Sequence, residues 1–355
     1  MKIAIFVPNI KSVCGRSKIC LSLIAGLNEI GNDVILITNA ESDIKLISLS
    51  KEKIFIIPCN PNGKSIISFL KCLLWLKKIS SSQKLNIISV HHRYPEFISL
   101  IARIIFRINT RIIMTVHSFT NDHKSLSYNS DKVIAVSNFI KTHLMKFYQI
   151  KENKLEVIYN GVEKSGFDSC TSILESNYLL AYGRFEFEKG FDLLIKAFSK
   201  IKLKTELPKL LLIGEGSEFP ILRLLTIAEK IQVEFYKFES VPWNIIEKAL
   251  FVTVPSREES LGLVVLEAGL MGKAVIAADV GGIPEIIDHE KTGLLFEGEN
   301  VSELSKSILI LMQNNKYEEQ LGANLRERVM KDFSLVKMIA NYEKVFNSLL
   351  SEQPR

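Results

Sequence analysis

The chain has 355 residues, of which 47% are hydrophobic and 24% charged; this predicts a folded protein with room for two domains and excludes a disordered one. No uncharged apolar run approaches the ~20 residues that a membrane-spanning helix needs, and the first apolar run is too short for a secretory signal. Five scattered cysteines without a Cys-x-x-Cys pair suit a reducing compartment, so we expect a cytoplasmic protein without a disulfide framework.

The charge is unevenly distributed along the chain, whose formal net charge is +6. Residues 1–168 hold 23 Lys and Arg against 12 Asp and Glu, a net charge of +11, whereas the remainder, with 22 against 27, carries −5. This asymmetry predicts a basic face on the first half that meets an anionic partner: nucleic acid, a membrane surface or an acidic substrate.

Short runs rich in Ile and Val alternate with stretches of helical length. Strands are predicted at 2–8, 33–38, 53–58, 85–91, 111–117, 132–137 and 155–160, and amphipathic helices at 17–30, 64–79 and 96–108. Strands that alternate with helices in this way predict right-handed βαβ units and a parallel sheet covered on both faces.

The pattern then begins again, with strands predicted at 178–183, 209–216, 233–238, 250–256, 274–279 and 293–298 and a last helix at 334–350. The polar tract 163–177 is the predicted linker. We therefore predict an α/β protein with two Rossmann-like doubly wound domains, 1–165 and 166–333. The segment 334–355 is expected to pack back toward the first domain. Ligands of such folds bind at the carboxyl ends of the strands, so we expect a site in the cleft between the domains.

The loops after three of the predicted strands are candidate anion sites. Gly15, after the first strand, lets a backbone approach an anion at a helix start, although a plain turn explains it equally well. In the second half, Gly183 ends a strand, and Arg184 and Lys189 follow it like a diphosphate clamp. The alternative is that both cations are solvated surface charges. Gly214 and Gly216 follow the next strand and suggest room for a flat or charged ligand.

The segment "SREESLGLVVLEAG" (256–269) holds two carboxylates in an otherwise apolar stretch. Glu259 lies in the loop after a strand, Gly262 and Leu263 mark a helix start, and Glu267 lies within the helix. A helix start binds phosphate, and carboxylates accept hydrogen bonds from hydroxyl groups. This order suits a nucleotide sugar; two unrelated surface glutamates are the alternative.

Several segments together resemble glycosyltransferase family 4. They are "PSREESLGLVVLEAGLMGKAVIAADVGGIPEII" (255–287) with its E-x7-E signature, "GRFEFEKG" (183–190), "VIAVSNFIKTHL" (133–144) and "VIYNGVE" (157–163). The resemblance extends over nearly the whole chain. It implies a GT-B fold and a retaining transferase that moves a sugar from a nucleoside-diphosphate sugar to a glycan or lipid-linked acceptor. It also implies that 1–165 binds the acceptor and 166–333 the nucleotide sugar, and that the protein acts in the biosynthesis of a bacterial cell-surface polysaccharide.

The resemblance also implies roles for individual residues. Glu259 and His117 contact the donor sugar, Arg184 and Lys189 neutralise the leaving diphosphate, and Glu267 binds the ribose. The other expected contacts to the donor, or to the cleft that holds it, come from Gly15, Gly183, Gly214, Gly216, Gly262, Leu263, Ser137 and Asn160.

The sequence departs from the usual pattern of the family in three places. Cys14 replaces the first glycine of the Gly-Gly loop, Ser260 and Leu261 replace Gly-Phe after Glu259, and Lys237 stands near the expected base pocket. These departures put in doubt a close backbone approach at Cys14 and suggest a different choice of sugar.

We expect no metal and no cofactor, because the sequence has no Asp-x-Asp and no His/Asp cluster with ligand spacing. Of the remaining histidines, His91, His92, His123, His143 and His289, we expect His91, at the end of a strand, to be the best candidate for a catalytic role.

Basic residues flank a tryptophan on the predicted helix 64–79. Lys71, Trp75 and Lys78 have helical spacing, and Arg103 and Arg107 are four residues apart on the helix 96–108. Such helices suit the anionic inner leaflet of a membrane, although an amphipathic helix with a solvated basic face fits equally well.

Three other classes of function remain as alternatives. A nucleotide-sugar epimerase would share the two-domain architecture, and a retaining glycosidase would also use two carboxylates. A nucleic-acid-binding protein would explain the basic half, but no motif of such a fold is present, so we expect no nucleic-acid partner.

Overall fold

The computed structural model describes residues 1–11, 14–58, 65–121, 127–164, 177–202, 207–237 and 243–352. Most of the predicted linker 163–177, and also Cys59, His123 and Cys170, lie outside these ranges. The chain divides into two units, Met1–Asn160 with Leu335–Arg355 (unit 1) and Gly161–Ser334 (unit 2).

Unit 1 contains a seven-stranded parallel sheet with the order β3-β2-β1-β4-β5-β6-β7. Its strands are β1 Lys2–Phe6, β2 Asp33–Thr38, β3 Ile54–Ile56, β4 Ile87–Val90, β5 Arg111–Val116, β6 Lys132–Ala135 and β7 Leu155–Val157. The helices are α1 Gly15–Glu29, α2 Ile66–Gln83, α3 Arg93–Phe106, α4 Asn138–Lys146 and the last helix of the chain, α12 Leu335–Ser351.

The C-terminal helix α12 packs on α1 within unit 1. Gly26 leaves space for Ile339, because a Cβ at position 26 would lie 2.5 Å from the Ile339 side chain. The Tyr342 hydroxyl group lies 3.1 Å from Thr115 Oγ1 on β5 and is buried. The apolar stripe of the last helix therefore covers one face of the first sheet.

Unit 2 contains a six-stranded parallel sheet with the order β10-β9-β8-β11-β12-β13. Its strands are β8 Tyr178–Tyr182, β9 Lys209–Ile213, β10 Val233–Tyr236, β11 Val252–Val254, β12 Val275–Ala278 and β13 Leu294–Phe296. The helices are α5 Phe191–Lys202, α6 Phe219–Ala228, α7 Trp243–Lys248, α8 Leu263–Leu270, α9 Ile283–Ile286, α10 Val301–Gln313 and α11 Asn315–Asp332.

The predicted α/β class is confirmed, since each predicted strand is present and both sheets are parallel. Among the central strands, β8 is buried along its whole length and β1 is buried after its first residue, Lys2, which is why they appear in the sequence as apolar runs. Among the described helices, none is both long enough and apolar enough to cross a bilayer.

Candidate functional site

Three loops at the carboxyl edge of the unit 2 sheet carry most of the residues predicted to bind the donor. β8 lies between β9 and β11, and the loops after these strands begin at Gly183, Gly214 and Pro255. Because the carboxyl ends of parallel strands share one edge of a sheet, residues far apart in sequence come together here.

Lys189 and Glu259, both predicted to act on the donor, form an ion pair. Lys189 Nζ donates to Glu259 Oε1, and Ser256 Oγ donates to the same oxygen over 3.1 Å. The side chains of Lys189 and Glu259 are 23% and 12% exposed. The structure therefore pairs a cation, which can bind a diphosphate, with a carboxylate. The second oxygen of this carboxylate can accept a hydrogen bond from a hydroxyl group.

The backbone after β8 explains why Lys189 reaches Glu259. The 3-10 turn Phe187–Lys189 ends at Gly190, whose φ is +64°, and a Cβ there would lie 2.0 Å from the Pro255 carbonyl oxygen. The Arg257 N–H also donates to the Glu188 carbonyl over 2.8 Å. The loops after β8 and β11 thus contact each other through their backbones, and only glycine at position 190 permits this.

The loop after β12 supports Glu259 from another side. A Cβ at Gly281, whose φ is +59°, would lie 1.7 Å from the Glu259 carbonyl oxygen, and the Gly282 N–H donates to that oxygen over 3.1 Å. The sequence analysis assigned these glycines no role. The available signal was a pair of adjacent glycines directly after a predicted strand.

Arg257 is a second residue that the sequence analysis missed. Its guanidinium group donates to both carboxylate oxygens of Asp192 over 2.8 and 2.9 Å, to the Phe187 carbonyl over 2.8 Å and to Glu299 over 2.6 Å. It also lies 4.0 Å from the centre of the Phe187 ring. Arg257 therefore ties the Lys189 turn to the start of α5 and to the loop that carries Glu259.

Glu267 is buried on α8 and is bound to the end of β8. The Tyr182 hydroxyl donates to Glu267 Oε2 over 2.9 Å. Burial and the neighbouring Glu267 carboxylate raise the pKa of Tyr182 well above its usual value, so the phenol keeps its proton at neutral pH. α8 begins at Leu263, and its N-cap Gly262 has no side chain to cap the first turn, so backbone N–H groups there can bind an anion.

The remaining predicted residues of unit 2 occupy the same edge of the sheet. Arg184 is exposed. A Cβ at Gly214 would lie 1.9 Å from the Gly183 carbonyl oxygen, and one at Gly216 would lie 2.3 Å from that of Phe185. Both glycines therefore allow the loop after β9 to approach the backbone of the loop after β8. Lys237 pairs with Glu215 over 2.5 Å.

In unit 1, the predicted residues again follow strands of the sheet. α1 begins at Gly15 itself rather than after it, because the extended Cys14 already accepts a hydrogen bond from Lys18 through its carbonyl. Ser137 is buried and caps α4, accepting from the Ile140 N–H over 3.1 Å. Asn160, beyond β7, is 6% exposed.

His91 and His117 contact each other where β4 and β5 end. His91 Nδ1 lies 2.9 Å from His117 Nε2. Cys20 lies next to this pair, and the donor atoms of the three side chains, each able to bind a metal ion, lie within 4.8 Å of one another. The spacing of these residues in the sequence did not predict this group. The histidine nitrogens that face each other are hydrogen-bonded, and the Arg16 charge nearby disfavours a cation. We therefore interpret the group as a hydrogen-bonded cluster.

Comparisons with known proteins agree with this architecture. The model of Glycosyltransferase Family 4 matches residues 15–165 and that of Glycosyl transferases group 1 matches residues 168–328. An uncharacterized glycosyltransferase of Methanocaldococcus jannaschii is 31% identical over 288 residues, which cover 77% of this chain and 78% of that protein.

Two further relatives are named for polysaccharide or lipid-linked chemistry. The Staphylococcus aureus capsular polysaccharide biosynthesis glycosyltransferase CapM is 25% identical, covering 90% of this chain and 84% of its own. The Campylobacter jejuni N-acetylgalactosamine-N,N'-diacetylbacillosaminyl-diphospho-undecaprenol 4-alpha-N-acetylgalactosaminyltransferase is 25% identical, with coverages of 86% and 87%.

Solved structures share the whole fold. A glycosyltransferase from Rickettsia africae has a TM-score of 0.83 at 25% identity over 99% of both chains. Anabaena HepE in complex with UDP-glucose has a TM-score of 0.81 at 18% identity, over 98% of this chain and 100% of its own. The fold is GT-B, and the protein is a glycosyltransferase. It belongs to glycosyltransferase family 4, the group 1 glycosyl transferases, which confirms the resemblance drawn from its motifs.

Proposed function

We propose that this enzyme is a retaining glycosyltransferase that uses a nucleoside-diphosphate sugar. The observation that carries the proposal is the Lys189–Glu259 pair at the carboxyl edge of the unit 2 sheet. A diphosphate brings two or more negative charges, so it competes with Glu259 for the Lys189 ammonium group. Donor binding then frees the Glu259 carboxylate to accept hydrogen bonds from sugar hydroxyl groups.

Two further features support the same ligand. Glu267, held by Tyr182, is a buried acceptor suited to ribose hydroxyl groups, and the uncapped start of α8 suits a phosphate. Exposed Arg184 adds a second cation to the segment after β8 that carries Lys189. Anabaena HepE, which has the same fold, was crystallised with UDP-glucose.

In the proposed reaction, the oxygen of an acceptor hydroxyl group forms a bond to the anomeric carbon while the bond from that carbon to the diphosphate breaks. The acceptor proton passes to the departing phosphate oxygen, and the new bond lies on the same face as the old one. Lys189 and Arg184 stabilise the negative charge that develops on the leaving group. This stabilisation, and not a nucleophilic side chain of the protein, drives the reaction. Retention itself is implied by the family resemblance.

A thermal-shift panel of nucleoside diphosphates and their sugars tests the donor class. A ligand at 100 times its Kd stabilises the native state by about 2.7 kcal/mol. For a unit of this size, we expect a rise in Tm of about 5–10 °C. ¹H NMR of the product then tests retention, since an α-linked donor should give an α-linked product. Isomerisation of the donor sugar without an acceptor would instead indicate an epimerase, and a β-linked product would contradict retention.

We also propose that the acceptor is lipid-linked and that unit 1 docks on an anionic leaflet. The name of the Campylobacter jejuni relative contains a diphospho-undecaprenol acceptor. In this chain, the exposed side of α2 and α3 carries large apolar residues, which we call the α2/α3 face: Ile66, Ile67, Leu70, Leu74, Trp75, Ile104 and Ile105.

The charges around the α2/α3 face are complementary to an anionic surface. Lys71, Lys77, Lys78 and Arg107 are exposed, α2 contains no Asp or Glu, and the carboxylate of α3, Glu96, is buried. Arg103, the other cation expected on this side, is bound to Asp131 over 2.5 Å, so its charge is already paired. Each cation near such a leaflet contributes about 1 kcal/mol to binding.

Co-sedimentation with phosphatidylglycerol vesicles tests this docking, with phosphatidylcholine vesicles as the reference. Replacing both Lys71 and Lys78 with Gln should weaken vesicle binding about 30-fold, because each charge contributes about 1 kcal/mol to the binding free energy. Arg107→Gln should weaken it about fivefold by the same reasoning, whereas Arg103→Gln, its matched control, should not. Equal effects of the two arginine variants, or no preference for the anionic vesicles, would contradict the assignment.

A further inference from the structure

A hydrogen-bonded chain of three side chains runs along the carboxyl edge of the unit 1 sheet. His91 follows β4 and His117 follows β5, and His91 Nδ1 lies 2.9 Å from His117 Nε2. On the other side of His91, Nε2 lies 3.2 Å from Ser89 Oγ. Ser89 lies on β4 and His91 directly follows its last residue, so the contact joins two side chains at the carboxyl end of this strand.

The chain is buried at one end and reaches the surface at the other. Ser89 and His91 are 0% and 2% exposed, whereas His117 is partly exposed. Burial, together with the Arg16 charge, lowers the pKa of His91 to about 3. Burial, His91 and Arg16 lower the pKa of His117 well below its usual value. Both imidazoles are therefore neutral near pH 7, and each has one N–H donor and one acceptor nitrogen.

A chain of neutral groups must run in one direction. If the Ser89 hydroxyl donates to His91 Nε2, His91 Nδ1–H donates to His117 Nε2, and His117 keeps its proton on Nδ1. If the direction is reversed, His117 carries its proton on Nε2 and presents a bare Nδ1 to a ligand. In either direction, the hydrogen bond with His91 restricts His117 to one tautomer and fixes the plane of its ring.

We infer that His91 is a positioning residue that fixes the tautomer and orientation of His117 through the Ser89–His91–His117 chain. His117 is the side chain that a ligand reaches, and His91 acts on the ligand only through it. The effect on catalysis rests on the proposed function and on the contact of His117 with the donor sugar that the family resemblance implies. The effect on the tautomer does not.

¹⁵N NMR of the full chain labelled at histidine tests the inference without any substrate. His143 supplies an internal standard, because its Nε2 lies 2.7 Å from the Thr120 carbonyl oxygen, which can only accept. We expect one neutral tautomer for His117 in the wild type, averaged tautomers in His91→Leu, and one tautomer again in His91→Asn, whose amide can replace Nδ1. The His143 signal should not change. A single unchanged His117 tautomer in His91→Leu would overturn the inference.

Kinetics then separate positioning from a general structural effect. We expect His91→Leu to lower kcat about 10- to 100-fold, because small misplacements of a positioned group cost rates of this order, with partial rescue in His91→Asn. In a His117→Ala background, His91→Leu should add no further loss, because it acts through the missing side chain. Additive losses would overturn the inference. Unchanged kinetics with an averaged His117 tautomer would instead contradict the proposed role of His117 in catalysis.

Discussion

Arg257→Met removes the guanidinium group that joins three segments of unit 2 while keeping most of the aliphatic stem. The variant loses two hydrogen bonds to Asp192, one to the Phe187 carbonyl and one to Glu299. We expect the free energy of unfolding of unit 2 to fall by about 2–3 kcal/mol.

The magnitude follows from the burial of the partners. Breaking a fully buried ion pair costs about 3–5 kcal/mol, and an exposed pair contributes about 0–1 kcal/mol. The side chains of Arg257 and Asp192 are 13% and 19% exposed, which places this pair between the two limits, whereas Glu299 is 63% exposed and adds little. Lys196 still contacts Asp192 over 3.1 Å in the variant and limits the loss.

The loss should depend on pH with a definite sign. Burial alone would raise the pKa of Asp192, but hydrogen bonds from Arg257 and Lys196 outweigh it and hold the pKa below its usual value of 3.8. The pair therefore stabilises the protein above pH 3.8, and its contribution disappears as the pH falls through the lowered folded-state pKa. The difference between wild type and variant should be full at pH 7 and should shrink in strong acid.

Denaturant unfolding followed by tryptophan fluorescence and circular dichroism measures this effect. Arg223→Met is the matched control, because Arg223 is an exposed arginine in the same unit, and it should change stability by less than about 0.5 kcal/mol. If Arg257→Met and Arg223→Met are equally stable, or if the loss grows in acid, the reasoning is refuted. Because Arg257 no longer holds the turn that carries Lys189, donor affinity should fall as well, by about tenfold for each 1.4 kcal/mol of binding free energy lost.

Two further substitutions test the support around the carboxylates. Tyr182→Phe removes the 2.9 Å hydrogen bond to Glu267, and calorimetric titration should show donor affinity about 10- to 150-fold weaker, from about 1.5–3 kcal/mol for a bond to a charged group; unchanged affinity would separate Glu267 from donor binding. Gly281→Ala places a Cβ 1.7 Å from the Glu259 carbonyl oxygen, whereas Gly31→Ala, also at positive φ, meets nothing within 4 Å. Gly31→Ala should lower the free energy of unfolding by roughly 1–2 kcal/mol, the cost of a positive φ alone. Gly281→Ala should lower it further, and equal losses in the two variants would show that the contact with Glu259 exerts no constraint.

Buried parallel strands could be predicted from the sequence because their signal is local. β2 has the predicted bounds, Asp33–Thr38, since a buried apolar run of four residues, 34–37, stands between these two polar residues. The Glu259, Glu267 and Lys189 candidates came from motifs that follow such strands, with Glu259 and Lys189 in or beside the loops and Glu267 on the helix α8. Which element each residue occupies is therefore a local property as well.

The partners of these residues could not be predicted, because they depend on contacts between distant segments. Lys189 and Glu259 are 70 residues apart, and their pairing requires the contact of Gly190 with the Pro255 carbonyl. Arg103 has the spacing of an exposed cation, yet Asp131, 28 residues away, binds it. A single sequence contains no signal for either distance.

The central claim, that Lys189 and Glu259 act on a nucleoside-diphosphate donor, is tested most directly by transfer kinetics of Lys189→Met and Glu259→Gln. With the donor identified in the thermal-shift panel, both variants should remain folded. Each should lose about 10²- to 10³-fold in kcat/KM, the usual effect of removing one group that stabilises developing charge. A folded variant of either kind that transfers sugar at the wild-type rate would contradict the claim.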